Sequence, residues 1–572
     1  MENKAFYKKR KFWYWAGGVF AGLLLILVIA GLLVAARWKP TLTTKIKEGV
    51  VEASNGLYHV DFKDIQLNAL TGTVILDSIK LTPDTVVYQQ LIARKEAPTH
   101  LFRIKLAHLK VSRVSLMKAY FDKQIDLTAI ILDNPSIDMI YTKVPKRQDT
   151  VKDERTLYQQ ISKSLKSISI DQIKVIDADF DYYNKGKKLQ SIKHLHVNVK
   201  DILVDSLAQF DTTRVFHSKN IGFELIGYKS LSKDKMYTLK LDTLKGSIEG
   251  RNLDLRGFEM IPMYPDLAFS RKIGVQKDRY DLKFNRIDLG GINYINLNNE
   301  GELHVDELAI SNAKANIFMN RELSPQALNK GDNFPHLAVR RIPIPTVIKK
   351  ISLDNVDVAY TEFNPKTKER GTVKLNNLAG TISNVTNDSV RLAANSFAHA
   401  DLSTQIMGAA KMDVKIDFNL TSKNAAFSYK GTIGSFDMKV LNPLSKSLGQ
   451  IEIESGMVKS VSFNINGNLN SASGDVVFLY QNLKVKMFGE DDDGKTKKKG
   501  FLSFLANKLV IKDDNPTKGE TRTTHPRYER LPQASFFNLM WKTIFVGIRE
   551  TVGIGFIPMK KMQEPKTSAK KQ

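Results

Sequence analysis

Cysteine is absent from this chain of 572 residues. That excludes a disulfide scaffold, a cysteine-ligated zinc or iron–sulfur centre, and a thiol nucleophile. Histidine is sparse, with 10 in the whole length. His194-Leu195-His196 puts two imidazoles on one strand, but no second ligand pair lies near them in sequence. No G-x-S-x-G, H-E-x-x-H or G-x-G-x-x-G occurs. No catalytic, cofactor-binding or metal-ligating residue is therefore assigned, and the chain reads as a non-enzyme. Acidic residues are too few to balance the basic ones: 60 against 85, a net charge of +25. The excess is dispersed along strand-like segments, not gathered on one helix among stacking aromatics, so nucleic acid is not an expected partner.

Long uncharged runs are also missing, with one exception. Phe12 to Ala36 holds 25 residues without a charge. As a helix it would be about 37 Å long, enough to cross a hydrocarbon core of about 30 Å with some tilt. Trp13, Tyr14 and Trp15 flank one end and Trp38 the other, as membrane interfaces favour. Lys4, Lys8, Lys9, Arg10 and Lys11 precede the run, and Arg37, Lys39, Lys45 and Lys47 come after it. The denser upstream cluster makes residues 1–11 a cytoplasmic basic segment and residues 12–36 a single transmembrane helix, with the bulk of the chain translocated. A cleaved signal peptide is the competing reading, since Val34-Ala35-Ala36 faintly resembles a cleavage site. The apolar core is longer than the about 7–15 residues such peptides use. Residues 37–57 read as a juxtamembrane helix and linker, helical from Pro40 to Ala53.

Residues 58–430 alternate apolar and polar positions between Asn, Asp, Gly, Lys and Ser breaks, the pattern of strands. A helix is expected from Arg155 to Lys166, where Leu157, Ile161 and Leu165 share a face. An octet, apolar-x-apolar-Asp-x-apolar-x-apolar, recurs at irregular spacing. It appears as VILDSIKL (Val74, Leu76, Ile79, Leu81), ISIDQIKV (Ile168, Ile170, Ile173, Val175), LHVDELAI (Leu303, Val305, Leu308, Ile310) and ISLDNVDV (Ile351, Leu353, Val356, Val358). IKLAHLKV (Ile104, Leu106, Leu109, Val111) and LKFNRIDL (Leu282 to Leu289) are looser copies. Strand side chains alternate with period two, so the first and last apolar pairs fall on opposite faces unless one residue is skipped between them. A bulge at the Asp position does this, and Asp or Asn suits the backbone there. Sheets bulged in many strands curl, with an apolar side and a polar side. An ordinary sandwich, in which a second sheet covers the apolar side, is the alternative.

From Gly431 the chain reads GTIGSFDMKVLNPLSKSLGQIEIESGMVKSVSFNINGNLNSASGDVVFLYQNLKVKMF. Phe436-Asp437, Leu441-Asn442-Pro443, Ser455-Gly456, Gly467-Asn468, Gly474 and the run from Tyr480 to Val485 make residues 431–489 resemble the C-terminal region of the AsmA-like family of bacterial envelope proteins. The anchor, short helix and YHVDFKDIQLNALTGTVILDSIKL (Tyr58 to Leu81) are similar to that family's start. The resemblance implies an inner-membrane anchor, a periplasmic body and a β-groove like those of bridge-like lipid transfer proteins. It further implies a role in phospholipid movement or outer-membrane integrity. The expected fold is thus mostly β: a transmembrane helix, then a long curled antiparallel sheet forming an apolar groove lined by the octet residues, with short helices at the C-terminal end. Expected partners are phospholipid acyl chains, the inner membrane and an outer-membrane or envelope protein. A non-transporting scaffold or regulator of outer-membrane biogenesis is the rival.

Residues 490–532 read as a charged loop, a short apolar-faced helix (Gly500 to Leu509) and a linker. GEDDDGKT (Gly489 to Thr496) matches a phosphate-binding loop only formally, because Glu490, Asp491, Asp492 and Asp493 repel phosphate. Residues 533–556 form an amphipathic helix, expected to cap the sheet or to meet a membrane or partner through Phe537, Trp541, Ile544 and Ile548. Residues 557–572 form a basic tail.

Overall fold

The computed structural model describes residues 38–68, 71–113, 118–142, 156–162, 165–490, 496–498 and 511–554. The 12–36 run, the segment before it, the 500–509 stretch and the tail lie outside them. The chain is mostly β, 56% strand, with mixed pairing and few short helices. No helix among the described residues is long and apolar enough to cross a membrane. Two compact units divide the chain: Met1–Ser230 with Leu241–Leu253, and Leu231–Lys240 with Asp254–Gln572.

In the first unit, helix α1 (Trp38–Ala53) precedes β1 (Tyr58–Asp61), β2 (Asp64–Asn68) and β3 (Thr73–Pro83); helix α2 (Thr85–Ala93) leads to β4 (His100–Ser112), β5 (Gln124–Asp133) and β6 (Ser136–Tyr141). Helix α3 (Leu157–Ile161) then precedes β7 (Ser167–Asn184), β8 (Lys187–Val204) and β9 (Ser218–Leu231). α2 starts where it does because Asp84 caps it, its Oδ1 accepting from the Val86 and Val87 N–H groups at 2.8 and 3.0 Å. β5 and β6 are one strand interrupted at Asn134-Pro135. Both run parallel to β7 at one constant offset, from Gln124 opposite Ser167 to Tyr141 opposite Asn184. Proline has no N–H for the ladder. Its carbonyl still accepts from Asp179 at 2.7 Å, and Asn134 donates to Ile176 at 2.9 Å, so the strand resumes in register.

β10 (Tyr237–Ser247) and β11 (Asn252–Pro262) contribute residues to both units. The second unit then holds β12 (Arg279–Gly290), β13 (Leu303–Asn320), β14 (Thr346–Asn364), β15 (Glu369–Thr386), β16 (Phe397–Ile406) and β17 (Ala410–Asn419). β18 (Phe427–Ile433), β19 (Phe436–Asp437), β20 (Ile451–Gly467) and β21 (Ser471–Glu490) come next, and a last long helix, α4 (Phe536–Thr551), lies near the end. β13 and β14 are parallel, Leu303 opposite Thr346 through Asn320 opposite Phe363, the same sequence offset as in the first unit. In each unit the second parallel strand then turns back as a hairpin, β7 with β8 and β14 with β15. The sheet is therefore mixed and not antiparallel as the sequence suggested. Alternation of faces is the same for both directions of pairing, so the octets carry no signal for it. Direction is set by how the chain returns between β6 and β7 and between β13 and β14, since parallel neighbours need a crossover.

The expected irregularity falls inside two of the four octets. In β3, Ser78 takes a left-handed φ of 56°, and Val74, Leu76, Ile79 and Leu81 are all buried on one side. In β14, Asn355 has φ 51° and the register with β15 shifts between Leu353 and Val356. At ISIDQIKV and LHVDELAI the ladder instead skips Asp171 and Asp306. The left-handed residues come further along, at Asp177 and Asn312.

The second unit's main core gathers Phe334, Phe418, Phe427 and Phe536 around His336, which is 2% exposed. Burial pushes the His336 pKa below its ordinary value, outweighing the raising effect of the Ala425 backbone. The unfolded chain takes up this proton near pH 6.5, and the folded one resists it. Stability is therefore expected to fall as pH drops below about 6.5, by up to about 2 kcal/mol at pH 5 from this residue. His336→Leu should flatten that part of the profile in denaturant melts at pH 7 and pH 5. An unchanged slope would locate the acid sensitivity elsewhere, with His217, also held low by burial, as the next group to test.

Candidate functional site

Cross-strand registers turn the octets into rows. In the second unit Leu289, Leu308, Ile351, Ile382, Ala400, Ile416, Tyr429 and Ile465 lie opposite one another in turn, from β12 to β20. Ile287, Ile310, Leu353, Gly380, Leu402, Val414, Gly431 and Phe463 form the neighbouring row. The two ends of these rows differ in what covers them. Ala400, Ile416, Tyr429 and Ile465 are all at most 6% exposed, in the buried cluster that also holds Phe536, Leu539 and Ile544 of α4. Tyr429 even donates its hydroxyl to the Met540 carbonyl at 3.0 Å. Leu289, Leu308 and Ile351 are half-buried and belong to none of the buried clusters.

The first unit repeats the arrangement. Ile65, Leu76, Leu109, Leu132, Val175, Val197 and Phe223 succeed one another from β2 to β9. The first three are at most 7% exposed beneath Ile46 and Val50 of α1 and Tyr88 of α2. Val175, Val197 and Phe223 are half-buried and outside every buried cluster. A strand side chain flanked by its cross-strand neighbours is only half covered; full burial needs a second layer. Helices supply that layer over β1–β4 and over β16–β21. Ile168 and Ile170 at the start of β7 and Val204 at the end of β8 still belong to the first unit's buried cluster; from Val175 onward in β7, at Val197 and Phe223, and separately over β12–β14, no described residue belongs to one.

The reverse face of β12–β14 is ionic. Lys350 bonds Glu307 at 2.8 Å, and Arg256 bonds Asp288 at 2.5 Å. This part of the second unit's sheet therefore has a charged side and an apolar side.

The candidate lining residues divide accordingly. Val74, Leu76, Ile79, Leu81, Leu106, Leu109, Val111, Ile168 and Ile170 are buried in the first unit's core, and Ile104 packs half-buried against it. Val305 and Val356 are buried too. Ile173, Val175, Leu303, Leu308, Ile310, Ile351, Leu353 and Val358 are half-buried. Phe223, Val197, Ile382 and Leu375 share these faces without belonging to any octet. β8 and β15 keep the octet's apolar spacing (Val197, Val199, Ile202; Val373, Leu375, Leu378) around a left-handed Asp201 or Asn377, and relaxing the place of the Asp is the signal that would have found them.

α4 spans less than the expected 533–556, because Ser535 caps its start by accepting the Asn538 N–H at 3.2 Å. It buries Phe536, Leu539, Thr543, Ile544, Gly547 and Thr551 against the sheet. Of the proposed interfacial residues, Ile544 is in that buried seam and Ile548 is half-buried beside it. Phe537 and Trp541 point outward, 69% and 41% exposed.

The residues that carry the family resemblance hold strands and turns. Asn442 pins its helix to β20, its amide accepting from the Ile453 N–H at 2.8 Å and donating to the Ile453 carbonyl at 2.9 Å. Asn468 closes the β20–β21 hairpin by accepting from Asn470 and Ser471. The formal phosphate-loop match is succeeded not by a helix but by a strand, Thr496–Lys498, which pairs back onto β21. His194 and His196 both serve the bulge at Asp177: Nδ1 of His194 is 2.6 Å from its carboxylate, and Nδ1 of His196 accepts its N–H at 3.2 Å. Among the described residues no His, Asp and Glu cluster could hold a metal ion.

No protein-family profile matches the chain, and no curated protein matches it significantly.

Proposed function

We propose that this chain is a membrane-anchored lipid-binding protein of the AsmA-like kind, in which phospholipid acyl chains lie on the apolar sheet faces that the protein's own helices leave uncovered. The observation that carries this reading is the change within single rows, from side chains at most 6% exposed in the buried cluster that includes α4 to half-buried leucines and isoleucines in β12–β14. Each acyl methylene taken from water onto such a face gains about 0.8 kcal/mol. Sliding along a uniform apolar row changes that term little, so movement needs no catalytic residue. The span at 12–36 would hold the chain in a bacterial inner membrane with its N-terminus cytoplasmic and its body periplasmic. Lipid carried there would pass between membranes and sustain the outer one.

Native mass spectrometry of the full chain, extracted in a neutral detergent, is expected to show bound phospholipid. Protein released free of lipid at every detergent concentration would sink the proposal. The exposed Phe537 and Trp541 favour a second reading, a scaffold docking an envelope protein through α4. Crosslinking from those two positions that recovered a protein partner, with no lipid bound to the chain, would favour it.

A further inference from the structure

One end of the first unit's sheet holds large apolar side chains out in solvent. Leu207, Phe210 and Phe216, on the loop between β8 and β9, are 80%, 77% and 60% exposed, and Phe121, just before β5, is 68% exposed. The register brings the two segments to the same end. Ile125 at the start of β5 lies opposite Ile168 at the start of β7, and Ile168 lies opposite Val204 at the end of β8. The Lys166 N–H bonds the Lys123 carbonyl at 2.8 Å, and the Leu203 N–H bonds the His217 carbonyl at 3.0 Å, closing the 205–217 loop. Phe121 and the loop therefore leave neighbouring strands, each about 4.8 Å from the next.

The loop backbone is tied to itself. Oδ1 of Asp205 accepts from the Leu207 and Ala208 N–H groups at 2.8 and 2.6 Å. The Phe210 and Asp211 N–H groups return to the Leu207 and Ala208 carbonyls at 3.0 and 3.1 Å, and Val215 and Ser218 exchange bonds at 2.9 and 3.0 Å. Oδ1 of Asp211 accepts the Thr213 N–H at 3.0 Å. Arg214 is buried beneath, donating to the Asp201 carbonyl at 2.5 Å and to the Asp211 carboxylate at 3.1 Å. So fixed, the loop holds its apolar side chains outward while these main-chain donors are used within it. Backbone in water has no need of that; backbone in contact with hydrocarbon does.

Charge at this end is balanced. Lys118 pairs with Asp126 at 2.7 Å, Lys219 with Asp201 at 3.6 Å, and Arg214 with Asp211. Exposed Asp122, Lys123 and Lys166 lie nearer the strands than the apolar tips and carry both signs. Apolar groups outermost with mixed charge behind them match a phospholipid layer, where zwitterionic headgroups overlie hydrocarbon. A protein partner would look for hydrogen-bonding groups that the loop has already used.

We propose that this end of the first unit inserts Leu207, Phe210 and Phe216, with Phe121 beside them, into the surface of a phospholipid bilayer, to a depth of about 5–10 Å. Docking of this kind goes beyond the lipid-binding reading and stands without it, because it needs no lipid on the sheet.

The chain has no cysteine, so Thr212→Cys places a single bimane label on the loop. Lys187→Cys, at the opposite end of β8, is the control. The labelled full chain is reconstituted in vesicles of phosphatidylcholine and phosphatidylethanolamine. Lipid brominated at mid-chain is placed either in those vesicles or in a second population added to them. The label at 212 should be quenched in at least one arrangement and the label at 187 in neither. Leu207→Ser with Phe210→Ser, in the Thr212→Cys chain, should cut the quenched population about tenfold. Both side chains are exposed, so its thermal melt should match that of the parent. Salt at about 0.5 M should change nothing, since the contact is apolar. No quenching at 212 in either arrangement, equal quenching at 187, or quenching that survives the double substitution overturns the insertion. Quenching that needs added anionic lipid and vanishes in salt overturns it as well. A dimer in native mass spectrometry that the double substitution dissolves would assign the tips to a second copy instead. Lipid bound per chain, counted in the same spectra, should be the same with and without the double substitution, so that failure here is separable from failure of the lipid-binding reading.

Discussion

Ile170→Asp is expected to unfold the first unit, whereas Leu353→Asp is expected to leave the second folded and strip it of lipid. The two residues occupy the same third position of two octets, and sequence gives no reason to treat them differently. Ile170 is 2% exposed, between Leu127 and Ile202, within the cluster that α1 and α2 close. A carboxylate there has neither water nor a partner. The loss, about 4 kcal/mol or more, is a large part of the about 5–15 kcal/mol that holds a domain together. Leu353 lies between Ile310 and Gly380 and is only half-buried. Its carboxylate reaches water, so the penalty to folding is about 1–2 kcal/mol.

A hydrated carboxylate at Leu353 would nonetheless deny its surroundings to an acyl chain. Losing contact with two methylenes removes about 1.6 kcal/mol, more than a tenfold drop in occupancy. Circular dichroism melts and native mass spectrometry on both variants read the two effects separately. Equal loss of fold would show Leu353 to be in a closed core, and undiminished lipid in a folded Leu353→Asp would remove the face from the binding surface.

That contrast marks what was legible in the sequence. The octet requires its apolar groups to share a face, and β3 does so with a bulge one residue past Asp77, at Ser78. The strand-rich body, α1 and the existence of α4 derive from local periodicity. Whether a face is covered does not. It depends on where the helices fold back: Met540 comes to Tyr429 from 111 residues away, and Tyr88, on the connection between β3 and β4, turns over the first unit's core. The direction of β7 and β14 was hidden for the same reason, since a parallel neighbour is decided by the crossover and not by the strand. The seam of α4 was legible in part: Ile544 and Ile548 lie in or beside it, while Phe537 and Trp541 stay exposed. Beside Phe536, Leu539 and Ile544, the face that packs holds Thr543, Gly547 and Thr551, which are small.

Those small residues make Gly547→Leu the substitution expected to change the second unit most without touching its sheet. A Cβ at Gly547 would stand 2.7 Å from Cβ of Val476 and 3.1 Å from Cγ of Pro526, so any side chain forces α4 away from β21. Thr543 and Thr551 fit the seam because their hydroxyls bond back to the Leu539 and Gly547 carbonyls, each at 2.8 Å, leaving only methyl groups to pack. Lifting the helix also breaks the Thr524 bond to the Gly547 carbonyl at 3.1 Å and strains the Tyr429 bond to Met540. Overpacking of this kind costs about 1–3 kcal/mol, and uncovering Leu539 and Phe536 adds to it. The physical consequence is specific: Ala400, Ile416, Tyr429 and Ile465 would become half-buried, as Leu289, Leu308 and Ile351 already are. Gly547→Leu should therefore melt earlier and retain its strand signal. It should bind more lipid, or more of an apolar-surface dye, than wild type. Thr551→Ser, which only trims the seam, should do neither. If Gly547→Leu melts early but binds no more lipid or dye, then cover by α4 is not what separates the closed end of these rows from the open one, and the proposal loses its main support.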